Sequence, residues 1–303
     1  MSRAIEVVEV GPRDGLQNDP VLMPTDTKIE FVSRLIKAGV TRMEAASFVH
    51  PKLVPAMADS AEVMSRVPRT DGVQYIGLAL NEKGMRRALD AGCDEVNYVM
   101  VASPGFGLKN QNATPEQTAD IFDQIAVLAH DDGVPVSVTV SVAFGDPFDG
   151  EVDESILPEL ARRASAAGAR EFALGDTIGV ADPWTVRRVV ESLKDAAGSM
   201  RLRMHFHNTR NTAMANIFAA VEAGVDVIDA SCGGIGGCPF APAATGNVAT
   251  EDVVYMLHRA GFETGLDLDL LIDTAKWLET EGLGHPVDSA LARAGVFPMP
   301  QTR

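Results

Sequence analysis

The sequence predicts an α/β fold, a closed eight-stranded parallel barrel with extra C-terminal helices, on three observations. Val-, Ile- and Leu-rich runs alternate with longer amphipathic patterns almost from end to end. Eight such pairs occupy about 260 residues, the count and size of a (β/α)8, or TIM, barrel. Helices hand over to strands at a repeated phrase, Ala38-Gly39-Val40, Ala91-Gly92-Cys93, Ala167-Gly168-Ala169 and Ala223-Gly224-Val225, with glycine placed just past each helix end. The rival, a doubly wound open sheet, would carry GxGxxG after its first strand, and this chain has none there.

Taken in order, Ile5–Val10 reads as the first strand. Thr25–Ala38 follows as a helix capped by Thr25 or Asp26, with Phe31, Leu35 and Ala38 on one face. Val40–Ser47 is the second strand, with a helix from about Lys52 to Arg66. Val73–Leu80 and Glu82–Ala91 make the third pair, Glu95–Ala102 and Pro115–Asp131 the fourth. Val134–Phe144 with Asp153–Ala167, then Arg170–Gly175 with Asp182–Ala197, make the fifth and sixth. Leu202–His207 with Thr212–Ala223 is the seventh, and Val225–Ser231 leads through a glycine loop to Thr250–Ala260. The catalytic barrel is placed at 1–265. Residues 266–303 form an extension of the same domain, with one or two helices in Leu268–Ala294 packed on the barrel.

Composition narrows the function. A net charge of −16 argues against sequence-general nucleic-acid binding, which needs a basic footprint. No apolar run is long enough to span a membrane. Three scattered cysteines, Cys93, Cys232 and Cys238, form neither a disulfide framework nor a zinc pair, which suits a reducing compartment. The opening residues are strand-like by Ile5, leaving no room for a leader, so the chain reads as cytoplasmic.

In such a barrel the chemistry sits at the C-terminal ends of the strands. The first strand delivers Arg13 and Asp14, the second Glu44, the sixth Asp176, and the seventh His205 and His207. Residues i and i+2 of a strand share a face, so the two imidazoles project side by side and suit a divalent metal; two ordinary exposed histidines are the alternative. Asp14 adds a carboxylate and Asn247 an amide oxygen, a donor set for a hard octahedral ion, Mg²⁺ or Mn²⁺. Arg13 reads as charge stabilisation beside the metal, or else as a surface ion pair. Glu44 and Asp176 read as carboxylates holding Arg13 and the histidines, or as ion pairs inside the barrel. The loop after the eighth strand, opening at Gly233, packs four glycines into five residues before Cys238. Its backbone, Gly237 included, can approach a ligand closely. Cys238 on that lid suits proton transfer, with a buried small hydrophobe as the bland alternative.

Five stretches together resemble hydroxymethylglutaryl-CoA lyases, within the metal-dependent barrel lyases and Claisen-type synthases. They are VEVGPRDGLQND (8–19), EAASFVHPKLVPAMAD (44–59), LGDTIGV (174–180), HFHNT (205–209) and GGIGGCP with GNVATEDVVYML (233–257). The resemblance implies cleavage of 3-hydroxy-3-methylglutaryl-CoA to acetyl-CoA and acetoacetate. It implies Asp14, His205, His207 and Asn247 as metal ligands, Arg13 against the thioester enolate, Asp14 or His205 as the base, and Cys238 as the catalytic thiol. It also implies a homodimer.

The chain departs from that pattern at Asn208, Arg210 and Asn211 after the histidines, and at Asp146, where the family commonly has cysteine. Arg210 and Asn211 are expected to reshape the substrate pocket. Cleavage of another 3-hydroxy-acyl-CoA, such as citramalyl-CoA, is therefore an alternative. A condensing synthase is a weaker one, because those usually carry a long regulatory extension. Lys109 and Lys52 are candidates to meet the coenzyme A moiety, or else are ordinary solvated lysines.

Overall fold

The computed structural model describes residues 3–238 and 241–297, with the side chains of 238–245 outside the description. Eight parallel strands close into a barrel: β1 (Glu6–Glu9), β2 (Arg42–Ser47), β3 (Gln74–Ala79), β4 (Glu95–Val101), β5 (Val136–Ser141), β6 (Glu171–Asp176), β7 (Arg201–Phe206) and β8 (Val227–Ala230). Closure comes from β8 pairing β1, with Val7 opposite Ile228 and Glu9 opposite Ala230. Around the barrel run α1 (Thr25–Lys37), α2 (Ser60–Arg66), α3 (Glu82–Asp90), α4 (Pro104–Asn110), α5 (Pro115–Asp131), α6 (Ile156–Ala166), α7 (Pro183–Leu193), α8 (Ala213–Glu222) and α9 (Thr250–Arg259). Two more helices, α10 (Leu268–Trp277) and α11 (Ala290–Ala294), extend the C-terminal end. After β8 the chain makes a two-stranded ribbon, β9 (Gly237–Cys238) and β10 (Ala241–Thr245). Among the described residues no helix is long and apolar enough to cross a membrane.

The four Ala-Gly joints end their helices in one way. Gly39, Gly92, Gly168 and Gly224 all have positive φ. At each joint the N–H after the glycine reaches back to a carbonyl five residues earlier, as Val40 does to Leu35 at 3.0 Å and Cys93 to Ala88 at 3.2 Å. This double-bonded stop satisfies the orphan carbonyls and turns the chain into the next strand. Two expected boundaries move. The helix predicted from Lys52 begins only at Ser60, because Pro55 keeps Val54 out of the helical region (φ −130°) and the chain turns there first. Between β4 and α5 a short helix, α4, forms from a Pro- and Gly-containing stretch that reads as loop.

The outer core, between strands and helices, is apolar and continuous, including Phe31, Tyr75, Val96, Phe122, Phe172 and Ile228. The inside of the barrel is different. A small apolar plug of Val8, Val10, Ile76 and Val227 lies beside a layer of buried charge. Arg42 meets Glu95 at 2.8 Å and Glu171 at 3.0 Å, and Arg203 meets Glu171 at 3.1 Å. Both arginines are 2% exposed and both glutamates fully buried. Removing one partner of such a pair leaves charge with no compensation, a larger loss than the pair's own net worth. Arg42→Met is therefore expected to cost roughly 3–5 kcal/mol, read from urea unfolding. A midpoint equal to wild type would show that the network does not hold the barrel interior.

Candidate active site

The site begins where β1 ends. Residues Gly11–Gly15 form one wide turn, closed by the Gly15 N–H on the Val10 carbonyl at 3.1 Å. Such i→i+5 turns recur at functional sites because they push side chains out of the regular path. Here the turn presents Arg13 and Asp14 to the barrel mouth. Arg13 lays its guanidinium between two carboxylates: Nε donates to Glu44 Oε2 at 2.7 Å, Nη2 bonds the same oxygen, and Nη1 donates to Asp14 Oδ1 at 2.6 Å. Burial opposes the guanidinium charge, but Glu44 and Asp14 outweigh it and push its pKa above the usual value. Glu44 is held from its other side by Asn97 Nδ2 at 3.1 Å.

The second oxygen of Asp14 faces both histidines. His205 Nε2 is 3.9 Å from it and His207 Nε2 is 4.0 Å. The facing ligand atoms of Asp14, His205 and His207 all lie within 4.8 Å of one another. Separations of 3.9–4.0 Å are too long for hydrogen bonds. They suit donors that share one ion at about 2.0–2.2 Å each. Burial would raise the Asp14 pKa, but Arg13 and then the two histidines hold it well below the usual carboxylate range. Burial, with His205 as neighbour, pushes His207 down to about 4. A carboxylate and a neutral imidazole are the forms a cation needs.

Asn247 reaches the same oxygen through its amide nitrogen, 2.8 Å from Asp14 Oδ2 and 3.2 Å from the Ile235 carbonyl. Two acceptors on that side identify the nitrogen. In this arrangement Asn247 holds Asp14, and ligation through its oxygen requires the amide to turn over. The loop that delivers it is pinched at glycines. A Cβ on Gly246 would lie 1.9 Å from the Gly236 carbonyl, and one on Gly236 (φ +115°) would lie 2.6 Å from Asn247 Nδ2. Gly237 sits beside the Asn18 carbonyl, 3.6 Å from where its Cβ would be. The Cys238 side chain lies outside the described residues.

Other expected residues fall elsewhere. The Asp176 side-chain oxygens accept from the Val180 and Ala181 N–H groups at 2.8 and 3.1 Å, and among the described contacts it meets His205 through charge rather than a hydrogen bond. Burial pushes its pKa to about 6 against those two bonds. Arg210 donates to the Ile178 and Gly179 carbonyls at 2.6 and 3.2 Å, tying the loop after β6 instead of lining the cavity. Asp146 accepts from Phe106, Phe148 and Asp149 N–H groups and so joins the loops after β4 and β5. Lys109 lies exposed on α4 with Nζ 3.6 Å from the Phe148 ring centre. Lys52 is exposed, next to Leu53 and Val54 on the cavity rim.

Asp229, not anticipated from the sequence, stands behind His205. Its Oδ2 is 3.2 Å from His205 Nδ1 and its Oδ1 is 3.4 Å from Arg203 Nε. It fixes which nitrogen His205 turns to Asp14. Burial alone would lower the His205 pKa, but Asp229 and Asp14 raise it. Carboxylates behind a ligating histidine typically govern 10–100-fold in metal affinity. Asp229→Asn is therefore expected to weaken Mn²⁺ binding by about that factor in a calorimetric titration. Unchanged affinity would mean that His205 needs no such support.

Arg13, Asp14, Glu44, His205, His207 and Asp229 line a cavity of about 350 Å³ that Leu53, Val54, Phe106 and Asn110 also line. It brings a corner whose three donors could hold a cation next to a fixed guanidinium, groups able to assist bond breaking beside a carbonyl.

Comparison with known proteins agrees with this chemistry. Residues 4–278 match the family model described as HMGL-like. The hydroxymethylglutaryl-CoA lyase YngG of Bacillus subtilis is 39% identical over 287 residues, covering 95% of this chain and 96% of that protein. An (R)-citramalyl-CoA lyase of Chloroflexus aurantiacus is 38% identical over 306 residues, covering 97% and 96%. An HMG-CoA lyase from Acinetobacter baumannii, solved in complex with coenzyme A and 3-methylmalate, superimposes with a TM-score of 0.92 at 39% identity and covers 98% of each chain. A family model spanning the barrel, relatives of nearly equal length and a shared fold converge on one conclusion: this chain belongs to the HMGL-like family.

Proposed function

We propose that this chain cleaves 3-hydroxy-3-methylglutaryl-CoA to acetyl-CoA and acetoacetate, a carbon–carbon lyase reaction of leucine degradation. The observation that carries the reading is the convergence of His205 and His207 on the Asp14 oxygen, with the Arg13 guanidinium bonded to the other oxygen of the same carboxylate. Asp14, His205 and His207 would hold Mg²⁺ or Mn²⁺, with Asn247 beside them as a holder of Asp14 or as a fourth donor. The bound ion supplies Lewis acidity to the substrate's hydroxyl and carboxylate.

The protein's own residues do the rest. Asp14 or His205 takes the tertiary hydroxyl proton. As the new ketone forms, the bond to the thioester's α-carbon breaks and its electron pair moves into the thioester enolate. Arg13 has five N–H donors, of which three are engaged by Glu44 and Asp14, so two remain for the enolate oxygen. Cys238 then protonates the enolate carbon, completing acetyl-CoA; full turnover by Cys238→Ser would remove it from that role.

The second reading is the same cleavage of citramalyl-CoA, supported by the likeness to the Chloroflexus enzyme. Against it, of the two departures expected to reshape the pocket, Arg210 bonds the Ile178 and Gly179 carbonyls, and neither Arg210 nor Asn211 lines the cavity. An acyl-CoA partner is supported by the coenzyme A in the Acinetobacter complex. A homodimer is carried from the family likeness, and a cytoplasmic location is supported by the buried free thiols of Cys93 and Cys232. The deciding experiment is acetyl-CoA release from a panel of 3-hydroxy-acyl-CoA thioesters with and without Mg²⁺. Metal-dependent release fastest from the methylglutaryl thioester is expected. Preference for citramalyl-CoA favours the second reading, and no release from any thioester overturns both.

A further inference from the structure

We propose that His285, as an imidazolium in the segment between α10 and α11, is a positioning residue that fixes the stretch between the Gly11–Gly15 turn and α1, and with it one wall of the catalytic cavity. That segment touches the site's loops at two points. The Asp288 N–H donates to the Gly233 carbonyl at 2.9 Å, and the Val287 side chain packs on Gly233, where a Cβ would meet it at 3.2 Å. Two residues before Val287, His285 Nε2 lies 3.1 Å from each oxygen of Asp19, and its Nδ1 lies 3.0 Å from the Pro286 carbonyl. A carboxylate and a carbonyl can only accept, so a ring placed between them donates from both nitrogens. Both donors are present only in the imidazolium.

What it holds matters to the site. The Asp19 side chain is 4% exposed and also accepts from the Val21 N–H at 2.9 Å, so its carboxylate ties down the chain that leads from the Gly11–Gly15 turn to α1. Gln17 and Asn18, between that turn and Asp19, line the cavity. The Asn18 carbonyl in turn lies against Gly237 of the lid loop. The C-terminal extension is thus linked to the cavity wall through one ion pair between residues 266 positions apart.

The charged groups facing His285 are Asp19 and Asp288, both favouring the cation, while Arg293 acts on Asp288. Burial opposes protonation, but the Pro286 and Asp19 bonds outweigh it and raise the histidine's pKa. A proton held more tightly in the folded state stabilises it fully below the free imidazole pKa. That contribution is lost as pH rises through the raised value. The stretch after the Gly11–Gly15 turn therefore loosens on the alkaline side.

The test uses the full chain with Mg²⁺, in wild-type, His285→Gln, His285→Arg and Asp19→Asn forms. By NMR titration the wild-type His285 ring should hold its proton above the free imidazole pKa, and Asp19→Asn should bring it back down. In kinetics, which rest on the lyase reading, His285→Gln should raise KM about three- to fivefold with kcat nearly unchanged, the worth of one partly exposed ion pair. His285→Arg should recover most of that loss. Wild-type KM should climb through the His285 pKa while that of His285→Gln stays flat. A ring pKa indifferent to Asp19→Asn, or a His285→Gln KM equal to wild type at every pH, overturns the proposal. Failure of the lyase reading is seen separately, as wild-type protein that cleaves no thioester, and the NMR arm then still decides whether the clamp exists.

Discussion

Arg13→Met is expected to lower kcat by roughly 10²–10³-fold, with KM changed far less. The guanidinium is not a mobile surface charge. Its side chain is 11% exposed and fixed between Glu44 and Asp14, so its free N–H groups are aimed before substrate arrives. Donors already oriented cost no reorganisation when charge develops, which is why losing one is felt in the chemical step. Methionine keeps the length and apolar stem but leaves Glu44 with Asn97 as its remaining described partner. Some stability is lost with it, so circular dichroism and a thermal melt should accompany the kinetics. Arg13→Lys should rescue poorly, because one ammonium cannot bridge two carboxylates and still face the enolate. A variant that folds and keeps kcat within tenfold of wild type would remove Arg13 from the chemistry.

Much of this arrangement was legible because it depends on strand order and on residues at strand ends. The four Ala-Gly joints announce where helices stop, and the positions of Arg13, Asp14, His205 and His207 follow from the rule that chemistry gathers at the C-terminal rim. What was not legible depends on register across the barrel. His205 lies opposite Asp229 in β8 and Gly175 in β6, whereas Asp176 lies opposite Phe206. Asp176 therefore shares the register position of Phe206 and meets His205 through charge without a side-chain hydrogen bond, while Asp229 bonds the His205 ring directly. Strand alternation held part of that answer, since Gly175 and Asp176 cannot both face inward. Asp229 is one of two acids, with Asp226, in the strand read at Val225–Ser231, a signal that gains meaning only once β7 is beside it. The pairing of His285 with Asp19 has no local pattern at all. Arg210 reads as a pocket residue from its place just after the histidine motif, but the Ile178 and Gly179 carbonyls claim its guanidinium instead.

Asp14→Asn and His207→Ala are each expected to lower Mn²⁺ affinity by more than about 100-fold, beyond the effect of a supporting residue. Turnover should fall by roughly 10³-fold or more, since Lewis-acid stabilisation is worth several kcal/mol. The asparagine is nearly isosteric, so any loss reports charge and donor type rather than shape. Its new N–H₂ would face either Arg13 Nη1 or Asn247 Nδ2, both donors now bonded to Asp14 at 2.6 and 2.8 Å, so the corner is disordered electrostatically as well as discharged. His207→Ala removes a buried neutral imidazole and leaves Arg13 and Glu44 untouched. Asn247→Ala separates the two roles open to that amide: a loss as large as in His207→Ala makes it a ligand, and a loss of about 10–100-fold makes it the holder of Asp14. Metal content measured on purified protein, with Mn²⁺ titration by calorimetry, reads all three. Full occupancy in both Asp14→Asn and His207→Ala would mean that the three donors do not form the cation site, and the lyase mechanism would lose its centre.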